Sequence, residues 1–452
     1  MLFLRNHLFV AVAMAAVLFN ACADDSSPSP IIEEPDPIAP SKVSTTAFTA
    51  TLTAQYNGVS KVDIALGKSG ILYCLKTDNA ESIFKSWRDG NEDAECVVFN
   101  TGKASGEEYE GTIVGLDPDT EYSYCYFMKN KDNTKCDLSD VSTFKTTPVQ
   151  PRYSYFKSSR IKMFSANIRG TVKINESDNE YCKKGLLLSE TENGSLSNNI
   201  RTFKYEYGSE AEDLEFNVNY LKPETDYWFR AYITYTTQDG EEHAVYSPET
   251  KFTTKPATEE WGVNLALPSG ILWASCPLGR TEFDDPYDFI YVSPYTCYWG
   301  STKRDSYSDL YEYYDTLSKT YTDIGYNIEG TQYDIAHAIL GGKWRLPTKQ
   351  DVEELIANCT IGKPVPTEYR YSSGNMTSIY STNIAVIAGS NGNFIKTWWG
   401  QTWTGTLSED GMCAYYAFYD YDSEEDRAFI ELDTLARNNI LQIHPVWDPK
   451  MQ

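Results

Sequence analysis

Between positions 42 and 256 apolar and polar residues alternate with period two, in runs bounded by Gly, Pro, Asn and Asp. That period sends successive side chains to opposite faces of a sheet, so the stretch predicts half-buried strands, and it carries no amphipathic-helix pattern. Beyond 257 the pattern changes. Trp261 to Leu267 predicts a strand, Pro268-Ser269-Gly270 a tight turn, and Ile271 to Cys276 a second strand. Two helices follow. Tyr333 to Leu340 is closed by Gly341, where a left-handed residue ends a helix. The other opens at Thr348, an N-cap with Asp351 three residues on, and Val352, Leu355, Ile356 and Cys359 recur at i, i+3, i+4 and i+7. A chain of 452 residues has room for several such units, at roughly 100–200 residues per domain.

The strand-rich stretch is an internal repeat. Leu116 to Tyr122 recurs as Leu221 to Tyr227, an L-x-P-x-T-x-Y pattern offset by 105 residues. Each copy leads into an aromatic strand, with Tyr122, Tyr124 and Tyr126 in the first and Tyr227, Phe229 and Tyr232 in the second. Each closes on a Phe-Thr ending, Phe144 to Thr147 and Phe252 to Thr254, with Pro148 and Pro256 just beyond. The turn predicts a tyrosine corner, in which the phenol bonds back to the chain and fixes the start of a late strand. The two units, 42–148 and 149–256, resemble fibronectin type III and related immunoglobulin-like domains, which implies two all-β sandwiches. That fold hosts many roles, and neither copy carries an enzyme-like constellation, so both are read as spacers. Lys183-Lys184 reads as a solvated strand edge, and His243, beside the polar turn 238–242, as solvent-facing.

The first residues read as an address. Arg5 and His7 precede a 12-residue apolar run, Leu8 to Phe19, followed by Asn20, Ala21 and Cys22. The run falls short of the roughly 20 residues that span a bilayer, so it is a secretory signal rather than a membrane helix. A Cys directly after Ala21 resembles a bacterial lipoprotein signal, which implies cleavage after residue 21 and acylation of Cys22. Asp24 and Asp25 resemble the export signal of Bacteroidota lipoproteins destined for the outer face of the outer membrane. Pro28, Pro30, Pro35, Pro37 and Pro40 then make 22–41 an anchor and an extended, semi-rigid linker.

Composition narrows the partners. The net charge is −25, from 39 basic and 64 acidic residues, so nucleic acid and anionic lipid headgroups are poor ligands. Aromatics are abundant, with 34 Tyr, 19 Phe and 10 Trp, a stock suited to recognition surfaces. Ten cysteines fit an oxidising compartment. Cys125 and Cys136 flank the turn 130–133 as a candidate disulfide, which leaves Cys74 with Cys96, although four cysteines allow three connectivities. Cys182 is left over, as a small buried apolar residue. No Cys/His spacing suits zinc, and no metal or cofactor is expected.

The remainder, 257–452, carries a second resemblance. Its segments are LALPSGILWASC at 265–276, CYWG at 297–300, DIAHAILGGKWRLPTKQDVEELIANCT at 334–360, NGNFI at 391–395, WTGTLSED at 403–410 and IHPV at 443–446. They resemble the major paralogous (FISUMP) domain of secreted and lipid-anchored Bacteroidota proteins. The resemblance implies an α+β, C-type-lectin-like fold, related to the formylglycine-generating enzymes. It departs from that family at His444, where relatives have Arg, at Trp403 to Thr406, and in a short segment 395–402. Trp344 and Leu346 are expected to plug the core, Pro347 to set the turn, and Arg345 to serve as a structural ion-pair partner.

Little in this region reads as catalytic. His337, three residues after Asp334, has no third member of an acid–base set, and it is read as packing at the helix–loop junction. Cys359 and Cys413 do not read as activated thiols, so the enzyme activity is not transferred. The acidic run 420–426 is read as a hairpin turn. Aromatic faces are the better lead, because flat rings stack on sugars. Trp299 and Trp403 are read as core. Trp398 and Trp399 are adjacent on a strand, so one of the two rings needs a second surface. These two, with Tyr295 and Tyr298, are the candidate ligand contacts. The expectation is a non-enzymatic, cell-surface lipoprotein that binds an extracellular glycan. A protein-binding adhesin or assembly subunit is the second class, and a formylglycine-generating-type enzyme the third.

Overall fold

The computed structural model describes residues 38–56, 69–91, 97–99, 103–105, 108–129, 134–204, 213–281, 294–304, 311–373, 376–398 and 400–451. The expected leader, Cys22, Cys96 and Trp399 lie outside them. No helix among the described residues is long and apolar enough to cross a membrane.

The repeat is visible in the topology. The first unit pairs a sheet ordered Ile38–Thr45, Thr49–Tyr56, Glu108–Val114, Lys103–Ser105 with a second ordered Val97–Phe99, Ser69–Leu75, Glu121–Lys129, Cys136–Leu138, to which Ser142–Lys145 adds on Glu121–Lys129. The second unit has Arg152–Ser159, Ser165–Lys173, Asp213–Asn219 facing Arg201–Lys204, Lys183–Ser189, Asp226–Thr236, Glu242–Tyr246, with Thr250–Thr253 added in the same place. The strand Ile38–Thr45 begins inside the stretch expected as linker, and its register shifts between Pro40 and Lys42, since Pro cannot donate to the ladder.

The corners match atom for atom. Tyr122 Oη accepts from Asp117 N at 2.9 Å, and Tyr227 Oη from Lys222 N at 2.8 Å. Thr146 Oγ1 accepts from Thr120 N and donates to Asp117 O, as Thr254 Oγ1 does with Thr225 N and Lys222 O. Asp119 and Glu224, the residues after each proline, take φ of 51° and 47°.

Three expectations fail in the sandwiches. Ala80–Arg88 is an α-helix, with Ala80, Ile83, Phe84 and Trp87 turned onto Leu72, Cys74, Cys125 and Phe127, the outer side of the sheet. Cys125 and Cys136 do not bridge the hairpin: the register sets Cys136 opposite Lys129, four residues beyond Cys125 and roughly 13 Å along the strand, and Cys136 is a free thiol. Lys183 is exposed as expected, but Lys184 is buried; both pair with Asp226–Thr236, and the ladder to Arg201–Lys204 begins only at Gly185. Cys182 is buried in the second core, and burial pushes its thiol up to about 12.

The units are joined by built contacts. Buried Asp178 accepts from Thr46 Oγ1 at 2.6 Å and from the amides of Ala47 and Phe48 at 3.3 Å, and Phe48 stacks on Tyr181 within the second core. At the other end Met163 and Phe164 enter the core of the third region, where Phe164 meets Trp261 and Tyr295.

In that third region strands far outweigh helices among the described residues. A five-stranded sheet runs Thr296–Tyr298, Ile440–Gln442, Gly400–Leu407, Cys413–Asp422, Arg427–Ala436, and a four-stranded one Gly262–Val263, Leu272–Ala274, Val446–Trp447, Trp344–Arg345. Thr360–Ser373, Met376–Ala388 and Phe394–Trp398 form a third sheet. Both expected helices form, as Ile335–Leu340 and Lys349–Asn358, the first starting behind an Asp334 cap and not at Tyr333: Gly341 takes φ 67°, and Thr348 and Asp351 close a full capping box. Val352 and Leu355 are buried, while Ile356, at the margin of the stripe, is exposed. Trp273, Trp299, Trp344 and Trp403 fill the interior. Arg345, itself buried, pairs with Asp351 at 2.6 Å and Asp448 at 2.9 Å, tying the turn before the helix to the end of the chain.

Candidate ligand-binding site

Of the four aromatic residues singled out above, Tyr295 and Tyr298 lie in different surroundings. Tyr295 is buried between Phe164, Tyr220 and the C-terminal core, so it is a junction residue and not a ligand contact. Trp398 sits opposite Ile384 at the end of its strand, and the position of its side chain, like Trp399 altogether, is outside the described residues. Tyr298 is half-buried, with its ring 5.0 Å from that of Tyr311.

Tyr298 belongs to a larger shelf that the sequence reading passed over. Tyr311 is held by its hydroxyl, which donates to Trp299 O at 2.5 Å. Around it Tyr313 packs edge-on at 5.8 Å and Tyr321 at 5.9 Å, Tyr314 lies 4.9 Å from Tyr321, and Tyr333 meets Tyr313 at 5.7 Å. The short hairpin Tyr314–Asp315/Thr320–Tyr321 presents these rings, and Asp315 closes its turn by accepting from Leu317 N and from the Ser318 hydroxyl. Beneath, the Arg437 guanidinium sits 4.8 Å from the ring centres of both Trp299 and Tyr321 and donates to Thr322 O. Tyr298, Tyr313, Tyr314, Tyr321 and Tyr333 are all half-buried. Burial raises the Tyr313 and Tyr321 phenols, so they stay neutral donors. The visible signal was the density of Tyr between 311 and 321, which has no strand or helix period.

The titratable groups nearby are committed to structure. His337 Nδ1 lies 3.1 Å from Trp344 O, at the helix–loop junction. His444 is fully buried and donates from Nε2 to Ala274 O at 2.8 Å; burial lowers it to about 4, so it is neutral. Burial raises the thiols of Cys359 and Cys413, the opposite of activation. The acidic run is the hairpin turn between Cys413–Asp422 and Arg427–Ala436, where Asp422 accepts from the amides of Glu424 and Glu425. What the shelf offers is flat rings, phenol donors and one covered cation. That equipment stacks and hydrogen-bonds.

No family model matches the chain. No curated protein matches it either. Among solved structures, the sensor domain of the anti-sigma factor RsgI4 of Pseudobacteroides cellulosolvens is 24% identical, covering 24% of this chain and 76% of that one, with a TM-score of 0.18. A two-domain fibronectin type III segment of chicken tenascin is 13% identical over 48% of this chain and 98% of that one, with a TM-score of 0.21. The chain is a multidomain protein built mainly of β-sheet.

Proposed function

We propose that the chain is a cell-surface lipoprotein, tethered to the outer membrane through Cys22, whose C-terminal region binds an extracellular glycan without transforming it. In this reading 42–148 and 149–256 are fibronectin type III-type, immunoglobulin-like units that carry the third region outward. Residues 257–452 form a C-type-lectin-like domain of the major paralogous kind. The observation that carries the reading is the tyrosine shelf at Tyr298, Tyr313, Tyr314 and Tyr321, in a region whose two histidines are hydrogen-bonded to backbone carbonyls. Half-buried rings with neutral hydroxyls match a sugar's apolar face and its hydroxyl rim.

Leu317, 94% exposed at the tip of the hairpin, favours a second reading in which the shelf meets a protein. A glycan array probed with the full chain separates the two. A saturable glycan signal that falls roughly tenfold or more in Tyr313→Ala with Tyr321→Ala supports the first. No glycan signal, with a partner whose binding is lost in Leu317→Asp, supports the second. A Trp398→Ala/Trp399→Ala pair tests the tryptophans in the same assay. An acyl-modified Cys22 in the mature protein's mass spectrum tests the anchor.

A further inference from the structure

The second sandwich carries a recess where its sheet is expected to be plain surface. Asp226–Thr236 turns Tyr227, Phe229, Ala231 and Ile233 into the core, so Trp228, Arg230, Tyr232 and Thr234 point outward. Tyr232 and Thr234 are nevertheless only 3% and 5% exposed. They lie in a cavity of about 590 Å³ lined also by Lys183, Lys184, Leu196, Thr202, Lys204 and Glu242. Gly185 makes this possible. It pairs with Tyr232 on one side and Lys204 on the other, and a Cβ there would collide with the Tyr232 ring. The phenol therefore folds over the glycine toward the strand that carries Lys204.

The charge of this recess runs against the rest of the molecule. Lys183 faces Thr234 across the ladder, and among the described residues neither Lys183 nor Lys204 is paired with a carboxylate. Two other lysines of the unit are committed, Lys251 to Asp226 and Lys222 to Glu190. Lys183 and Lys204, with buried Lys184 beneath, outweigh the single carboxylate of Glu242 in the lining, and beside the Thr202 and Tyr232 hydroxyls they suit an anion that also carries hydroxyl groups. Burial, reinforced by Glu242 and Tyr246, raises the Tyr232 phenol and keeps it a donor.

We propose that this recess binds an acidic saccharide, a uronate or sulfated residue of a polysaccharide. The acid group sits between Lys183 and Lys204, the sugar packs against Leu196, and its hydroxyls meet Thr202 and Glu242, with Tyr232 and Thr234 closing the recess from below. The second sandwich is then a binding module, not only a spacer.

The test is an equilibrium titration of the full chain at low salt with four probes: polygalacturonate, dextran sulfate, neutral dextran and poly-L-glutamate. At least one acidic polysaccharide binds saturably and weakens as salt rises, with neutral dextran and poly-L-glutamate roughly tenfold weaker or worse. Which of the two acids binds identifies carboxylate or sulfate. Lys183→Glu with Lys204→Glu removes roughly tenfold or more of the affinity with the melting temperature unchanged, since both side chains are exposed. Tyr313→Ala with Tyr321→Ala leaves it intact, so failure here is distinct from failure of the C-terminal reading. Absence of binding overturns the proposal. So do equal binding of neutral dextran or poly-L-glutamate, and indifference to the lysine changes.

Discussion

The two sandwiches share a corner and a strand order, yet they treat the same patch of sheet in opposite ways. The 105-residue offset of the corners carries Phe127 onto Tyr232, and each faces a glycine on the neighbouring strand, Gly70 in the first copy and Gly185 in the second. In the first copy the helix Ala80–Arg88 lies over this patch, with Trp87 5.0 Å from Phe127, and buries it as a second small core. In the second copy the connection after Ser189 has no helix. It contributes Leu196, and the patch stays a polar recess floored by Tyr232. A conserved frame fixes where a side chain points, while the connection beyond it decides whether that side chain becomes core or surface.

The largest expected effect separates the two covers. Phe84→Ala empties the helix's main contact and costs roughly 3–5 kcal/mol in chemical denaturation, whereas Leu196→Ala costs under about 1 kcal/mol. Similar losses would mean that the second connection is as much a core element as the first. Acid sets both sandwiches against the third region. His444 has its ordinary value near 6.5 when unfolded and about 4 when folded, so the unfolded chain takes up the extra proton. Its contribution, up to about 3 kcal/mol, is complete above pH 6.5 and is lost as the pH falls toward 4. His444→Gln removes that loss, read as a flatter melting temperature against pH. Gly185→Ala displaces the Tyr232 ring and costs roughly 1–3 kcal/mol. The smallest effect checks the likeness itself: Tyr122→Phe and Tyr227→Phe each cost about 1 kcal/mol, and unequal losses would break the equivalence of the corners.

What could be read from the chain was what depends on neighbours in sequence. The corners lie within seven-residue motifs, and the capping box at Thr348 spans four residues, so both were legible. The helix Ala80–Arg88 has the helical spacing Ala80, Ile83, Phe84, Trp87, but at nine residues, with no side-chain cap at Asn79, it was lost among strand signals. Tyr232 follows Tyr227 and Phe229 in one aromatic run, yet strict alternation from 227 runs through 231 and 233 and puts it on the other face. Tyr295 was unreadable because the groups that bury it, Phe164 and Tyr220, lie far away in sequence on another unit. The hairpin register that parts Cys136 from Cys125 is a long-range property of the same kind.

The most direct measurement compares two charge reversals in one titration with acidic polysaccharide: Lys183→Glu/Lys204→Glu in the second sandwich, and Lys85→Glu/Arg88→Glu on the helix of the first. Lys85 and Arg88 are already paired with Glu81 and Asp89. Affinity that collapses in the first variant and is unchanged in the second is the predicted result. Equal losses in both, or none in either, would contradict it.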